Sequence, residues 1–383
     1  MKLLLISSVT PQDTTATELV LHRHFAAAVG ELEVTIASDH PALTNDPNGI
    51  PIIPNPILLR LTKTRLAAIA HSLRQLLPTH DTRALYHNLC QHRPDAILTV
   101  AHGTLYPVAL RMSKRFGLPL VSIFHDWFPD MARFPALLRP WLDRQFRHLY
   151  QRSNLVFCVS EGMRQMLGDH PNVRVLLPIP GEKLLLSQKI SAKAPVPFTV
   201  AYAGNLSTCY APMLQALGQL TKTTESLQLR LFGPVPHWSP EMLHDLTEAD
   251  IYGGFLSREA LLHELYQASV LLVVMSFEAS DRRRMETSFP SKLIEFCSIG
   301  KPLVIWGPSY CTAIQWARKH MSAITITNPN PQVLLNALET ISKAPEEYTF
   351  YAQQARKMAQ SMFDPSTIQQ QFMDALMCQA FES

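Results

Sequence analysis

The sequence contains no Cys-x-x-Cys pair. Its six cysteines, at positions 90, 158, 209, 297, 311 and 378, are scattered, which argues against a zinc site and a disulfide framework and makes a reducing cytoplasm the default expectation. Long apolar runs are missing too. The longest late run, Val270 to Met275, is far short of a membrane span. The opening MKLLLISSV has an apolar stretch of only Leu3 to Ile6, too short for a signal-peptide core, so it reads as a first buried strand. Charge of either sign is scarce. The net charge is +3, and no basic block is interleaved with aromatics, so nucleic acid is not an expected partner. The small excess suits an anionic substrate or peripheral contact with a membrane surface. The first loop, SSVTPQDTTAT, has no G-x-G-x-x-G, which counts against a dinucleotide site there. No Asp-x-Asp stands in a suitable loop and no His/Cys cluster has ligand spacing, so neither a metal nor a cofactor is expected. No low-complexity segment is present.

The 383 residues exceed one ordinary core and imply two domains. Hydrophobic residues at 47% and charged residues at 17% give a globular balance that excludes disorder. The chain opens β-loop-α-β with KLLLISSV, TELVLHRHFAAAV and LEVTIAS, as doubly wound sheets do. Residues 41–56, rich in Pro and Asn, read as loop. Residues 57–92 read as helical, their basic side chains forming a solvated face. PDAILTV and LPLVSIF are further strands, the second ending in His125 and Asp126, where open α/β sheets bind ligands. On spacing alone, a lone His there is more often a structural hydrogen-bonder. Residues 127–152, with aromatic anchors and several Arg, fit an amphipathic helix packed on the domain or an interfacial patch for a lipid-linked acceptor, the first being favoured. NLVFCVSEGMRQML is a strand entering a helix capped by Ser160.

Residues 181–197 read as an interdomain linker. A second Rossmann-like half follows: FTVAYAGNLS with its Gly204-Asn205 loop, APMLQALGQLT, LQLRLFGP with Gly233, IYGGFLS with Phe255 and Leu256 at its turn, REALLHELYQA and SVLLVVMSF. The last forty residues form two helices broken at Asp364-Pro365.

One stretch organises the rest: RMETSFPSKLIEFCSIGKPLVI, residues 284–305, read as loop, helix, turn and strand. Pro290 suits a first helical position and Gly300 a helix end. Leu293, Ile294, Phe296, Cys297 and Ile299 wrap most of the helix, so it must be largely buried, yet it carries Glu295, with Lys292 on the same face. These charges form either a solvated pair or a ligand site. In the second reading the helix N-terminus faces a phosphate, Lys292 adds charge, and Glu295 accepts hydrogen bonds from sugar hydroxyls.

SFPSKLIEFCSIGKP resembles the nucleotide-sugar motif of retaining glycosyltransferases of family 4, which have the two-Rossmann GT-B fold. The likeness spans nearly the whole chain, most strongly over 200–310. It implies an α/β protein with two Rossmann-like domains facing each other across a cleft: residues 1–180 on the acceptor side, a linker over 181–197, a nucleotide-sugar domain over 198–345, and C-terminal helices over 346–383 packing back on the first domain. The implied activity is transfer of a sugar from a nucleoside-diphosphate sugar to a glycan, lipid-linked or small-molecule hydroxyl, with retention. By resemblance Glu295 holds the donor ribose. Gly204, Asn205, Gly233, Phe255, Leu256, Ser288, Phe289, Pro290, Ser291 and Lys292 complete the donor site. VSIFHDWFPD is similar to the family segment whose His contacts the transferred sugar, which gives His125 that role and makes Asp126 the group orienting it. Two departures stand out. The family places an Arg and a Lys soon after the AGN-L loop to bind diphosphate, and LSTCYAPM has neither; Lys292, Arg258 and Arg282, Arg283 and Arg284 are the substitutes. The family's E-x7-E signature, counted back from Glu295, lands on Thr287, with the catalytic candidate Glu286 one residue off. A GT-B nucleotide-sugar epimerase and a non-catalytic sugar-nucleotide-binding protein are the rival readings.

Overall fold

The computed structural model describes residues 1–12, 16–40, 49–77, 80–131, 134–181, 195, 197–207, 209–224 and 226–381. The chain divides into two units, Met1–Ile179 with Ser366–Ser383, and Pro180–Pro365.

The first unit is built on a parallel sheet of β1 (Lys2–Ile6), β2 (Glu33–Ser38), β3 (Gly49–Pro51), β4 (Ala96–Val100), β5 (Leu120–Phe124), β6 (Leu155–Cys158) and β7 (Val173–Val175), in the order β3-β2-β1-β4-β5-β6-β7. Its strands are near-continuous apolar runs because both faces are covered. Leu4, Ile6 and Ile97 join one buried cluster, while Leu3, Leu5 and Leu98 join the other. The C-terminal helix Pro365–Phe381 belongs to this unit, its Ile368, Phe372, Met373 and Leu376 buried in the second cluster.

The second unit repeats the plan with β8 (Phe198–Ala203), β9 (Leu227–Phe232), β10 (Tyr252–Gly254), β11 (Val270–Val274), β12 (Leu303–Trp306) and β13 (Ile324–Ile326), in the order β10-β9-β8-β11-β12-β13, all parallel. In each sheet the order turns at the first strand, and the crevice beyond β1/β4 or β8/β11 is the general ligand position of such folds. The expectation of an α/β chain with two Rossmann-like sheets thus holds.

Several local readings change. Residues 49–51, read as loop, form the edge strand β3, with Ile36, Ala37 and Ser38 of β2 opposite Gly49, Ile50 and Pro51; an edge position tolerates the proline. Residues 57–92 are three helices, Pro56–Leu61, Ala67–Leu76 and Arg83–Gln91. The helix Pro345–Gln360 lies in the second unit, so of the two C-terminal helices only the last belongs to the first. Of the linker expected over 181–197, residues 182–194 and 196 lie outside the described residues.

Candidate functional site

In the second unit the candidate site forms where the loops after β8, β9 and β10 meet the helix Ser291–Ile299. The five apolar residues of that helix are all buried, and Gly300 ends it in the left-handed conformation at φ 73°. Pro290 occupies the cap position rather than the first helical one, and no side chain caps the first turn. Its leading amides therefore retain donor capacity toward another group.

Lys292 leaves this turn and lies over Gly204. A Cβ built at Gly204 would fall 1.4 Å from Lys292 Nζ, so only glycine leaves room for the ammonium. Nζ also sits 5.2 Å from the centroid of the Tyr202 ring, a cation–π contact, and Tyr202 donates its hydroxyl to the Asn205 carbonyl at 3.1 Å. The three loops are stitched together by backbone bonds from Gly204 N to Phe232 O at 2.8 Å and from Gly233 N to Gly254 O at 2.9 Å. At Gly233 a Cβ would lie 1.9 Å from the Gly204 carbonyl oxygen, so this approach of two backbones needs glycine. Asn205 Oδ1 accepts from Ser207 N at 2.8 Å, which shapes the loop. Phe255, next to Gly254, is 77% exposed, and Leu256 is half-buried.

Burial takes the Lys292 ammonium down from 10.5 to about 8, with the Glu295 charge opposing the shift. Both residues are half-buried on an otherwise apolar helix. A desolvated cation of this kind gains from an anion brought to it.

The segment before the site helix, read as loop through Arg284–Thr287, is a short helix, Arg282–Thr287. Its i,i+4 pair, Arg282 Nε to Glu286 Oε1 at 2.8 Å, supports it, and Arg282 lies over the Tyr310 ring at 4.7 Å. Thr287 is fully buried at 0% exposure and donates to the Arg283 carbonyl at 2.8 Å. Glu286 keeps a quarter of its side chain exposed. Of these two, Glu286 is the one within reach of solvent. Arg284 contacts Asp281 at 3.3 Å and the sulfur of Cys209. The loop after β8, short of basic residues of its own, is therefore reached by Lys292 and Arg284 from the other side. Arg258 is exposed. Phe289 packs edge-on against Trp316 at 5.8 Å and tilted against Phe363 at 6.2 Å, so its ring serves the core. The Ser288 carbonyl accepts from Thr312. Sequence reading missed Tyr202, Cys209 and Tyr310, which carry no motif and come together only through the sheet.

In the first unit His125 stands at the end of β5, with His24 and His102 around it. Its Nε2 is sealed from solvent and has no hydrogen-bond partner among the described residues. Burial, followed by the neighbouring His102, takes its pKa from 6.5 to about 4. His24 falls to about 4 as well, chiefly through burial, and its Nδ1 lies 3.2 Å from Gln369 Oε1 of the C-terminal helix. His24 and His125 line the same small cavity of about 10 Å³, with Leu21 and Pro178. The charge of Asp126 acts on His102, opposing the lowering that burial causes there. Two residues after His125, Trp127 is 1% exposed and donates to Asp143 at 2.8 Å, which anchors the loop. Phe146, Leu149 and Tyr150 are likewise core. The aromatics of 127–152 thus pack on the domain, as the favoured of the two expectations had it.

Beyond β2 and β4 a polar cluster forms that the sequence did not reveal. Asp39 accepts from Thr104 at 3.1 Å and Arg74 at 3.3 Å, with His80 at 3.7 Å. Burial opposes its ionisation, yet hydrogen bonds from His80, Ser8 and Thr104 outweigh it and hold the carboxyl below its usual range. Among the described residues no group of three or more His, Cys, Asp or Glu could hold a metal ion. No helix among them is long and apolar enough to cross a membrane.

Residues 20–176 match the family model described as Glycosyltransferase Family 4. No curated protein matches the chain. Among solved structures, the sucrose-phosphate synthase of Thermosynechococcus elongatus is similar at 16% identity and a TM-score of 0.68, covering 100% of this chain and 99% of its own. HepE of Anabaena, in complex with UDP and glucose, is similar at 17% identity and a TM-score of 0.65, covering 99% and 100%. WaaG, a glycosyltransferase involved in lipopolysaccharide biosynthesis, matches at 13% identity and a TM-score of 0.58, covering 98% and 99%. The structural likeness shows the GT-B fold with its two Rossmann-like domains, and within it residues 20–176 of the first unit are similar to Glycosyltransferase Family 4.

Proposed function

We propose that the chain transfers a sugar from a nucleoside-diphosphate sugar to an acceptor hydroxyl, with retention at the anomeric carbon and without a metal. One observation carries the reading: Lys292, desolvated at the uncapped start of the site helix, lies directly over Gly204 beyond β8. That arrangement suits a diphosphate, since a cation and free helix amides converge where a backbone without Cβ allows close approach. Glu295, four residues into the helix from Ser291, receives the ribose hydroxyls. Solved structures of HepE with UDP, with UDP and glucose, and with UDP-glucose support the ligand class, because that protein shares this fold over its full length.

In the reaction the bond from the anomeric carbon to the diphosphate oxygen breaks. The acceptor oxygen bonds to the same face of the sugar, and its proton passes to the departing phosphate. The diphosphate gains charge as it leaves, so Lys292 and the helix amides hold the transition state more strongly than the ground state. His125, half-buried and uncharged at neutral pH, presents its ring to a hydroxyl of the transferred sugar.

Nucleoside diphosphates screened by thermal shift should raise the melting temperature, and the preferred one then identifies the donor's base. Release of nucleoside diphosphate should depend on an added hydroxyl acceptor and persist in EDTA. Glu295→Gln should weaken nucleoside-diphosphate binding by ~1–3 kcal/mol. Conversion of the donor sugar without any acceptor would indicate an epimerase. Binding with no turnover on any acceptor would indicate a sugar-nucleotide binder.

A further inference from the structure

We infer that the surface made by the helices Pro56–Leu61 and Ala67–Leu76 is a docking face for an anionic membrane. The inference goes beyond the proposed transfer reaction and does not depend on it.

The first of these helices has no buried residue at all. Around it Ile57 is 67% exposed, Ile69 57%, Leu66 49% and Leu59 41%. Scattered exposed apolar residues are ordinary, but a contiguous group on adjoining helices marks an interaction surface. The aromatic side chains of segment 127–152, by contrast, pack in or against the core.

The charge around the patch identifies the partner. Residues 50–77 contain no Asp or Glu. Arg60, Lys63 and Arg65 stand exposed among the apolar side chains and make no ion pair among the described residues. The fourth cation, Arg74, is turned inward onto Asp39. Apolar side chains flanked by uncompensated cations are what an interfacial segment presents to acidic headgroups, the former entering the acyl boundary and the latter meeting phosphate charge. A second copy of this chain fits poorly, because an isologous contact brings the same cations together with no carboxylate in the segment to offset them. A membrane seat would also bring a lipid-linked hydroxyl to the unit that carries His125.

The test uses the full chain, co-sedimented with vesicles of phosphatidylcholine alone or of phosphatidylcholine mixed with phosphatidylglycerol, at low and high salt. The wild type should pellet with the mixed vesicles, stay in solution with the neutral ones, and detach as salt rises. Arg60→Glu/Lys63→Glu/Arg65→Glu should reduce binding by about tenfold or more. Ile57→Ser/Leu66→Ser/Ile69→Ser should reduce it comparably, and both variants should keep the wild-type melting temperature and nucleoside-diphosphate affinity. Absence of binding, equal binding to neutral vesicles, or binding retained in both variants would overturn the inference. So would a concentration-dependent dimer abolished by the same substitutions, which would make the face a contact between copies. The salt and lipid dependence of the wild type decides the matter even if a variant misfolds.

Discussion

The carboxyl ends of the two sheets share a strand order and differ in charge. Burial lowers both groups that stand there, His125 from 6.5 to about 4 and Lys292 from 10.5 to about 8. At neutral pH the same physical push leaves the imidazole uncharged and the ammonium charged. One end therefore offers a neutral donor fit for a sugar hydroxyl, and the other a cation fit for phosphate. In the proposed reaction, desolvation applied to two residue types on two copies of one architecture divides the work between sugar and phosphate.

The largest effect is expected on removing the neutral imidazole. His125→Ala should lower kcat roughly 10²-fold or more, the scale of one lost electrostatic donor, while nucleoside-diphosphate affinity stays near wild type. Steady-state kinetics and a melting curve on the same preparation check it. A destabilised but fully active variant would make His125 a structural residue.

A smaller effect sharpens the phosphate end. Gly233→Ala should cost ~1–3 kcal/mol of stability by overpacking, because its Cβ would meet the Gly204 carbonyl oxygen, which cannot move alone. Gly204→Ala should be milder in denaturant titration yet weaken nucleoside-diphosphate binding, since its Cβ meets the mobile end of Lys292.

A further effect is graded with pH. His24 and His125, at about 4 in the folded protein against 6.5 ordinarily, refuse protons that the unfolded chain binds. The stability they contribute is present in full above pH 6.5 and is lost as pH falls toward 4, at no more than ~1.4 kcal/mol per pH unit for each group. Denaturant midpoints across that window should show the slope, and His24→Asn should flatten it.

Much of this was legible in the sequence because the signals are local. Gly300 announces the end of the site helix, Ser160 caps its helix through Met163 N at 2.9 Å, and the apolar runs of β1, β4, β5 and β11 name themselves. Glu295 stood out as a carboxylate on an apolar helix. What stayed hidden depends on distant partners. Nothing near Tyr202 or Cys209 in the chain announces Lys292 or Arg284, the basic side chains that reach them from about eighty positions away. The helix at Arg282–Thr287 was masked by polar residues that look like loop until Arg282 finds Glu286. Residues 57–77 read only as helical with a solvated basic face, since periodicity cannot say whether the apolar side is covered.

On the proposed reading a desolvated Lys292 over Gly204 binds the donor's diphosphate. Calorimetric titration of a nucleoside diphosphate into wild type and Lys292→Met, at several pH values from 7 upward, tests it most directly. The claim predicts that the variant binds on the order of 10–100-fold more weakly at pH 7 with an unchanged or higher melting temperature, since a buried ammonium is costly to fold around. Wild-type affinity should fall as pH rises through about 8, where free Lys292 loses its proton, while the variant's stays flat. Equal affinity of the two proteins at pH 7, or the same pH dependence in both, would contradict it.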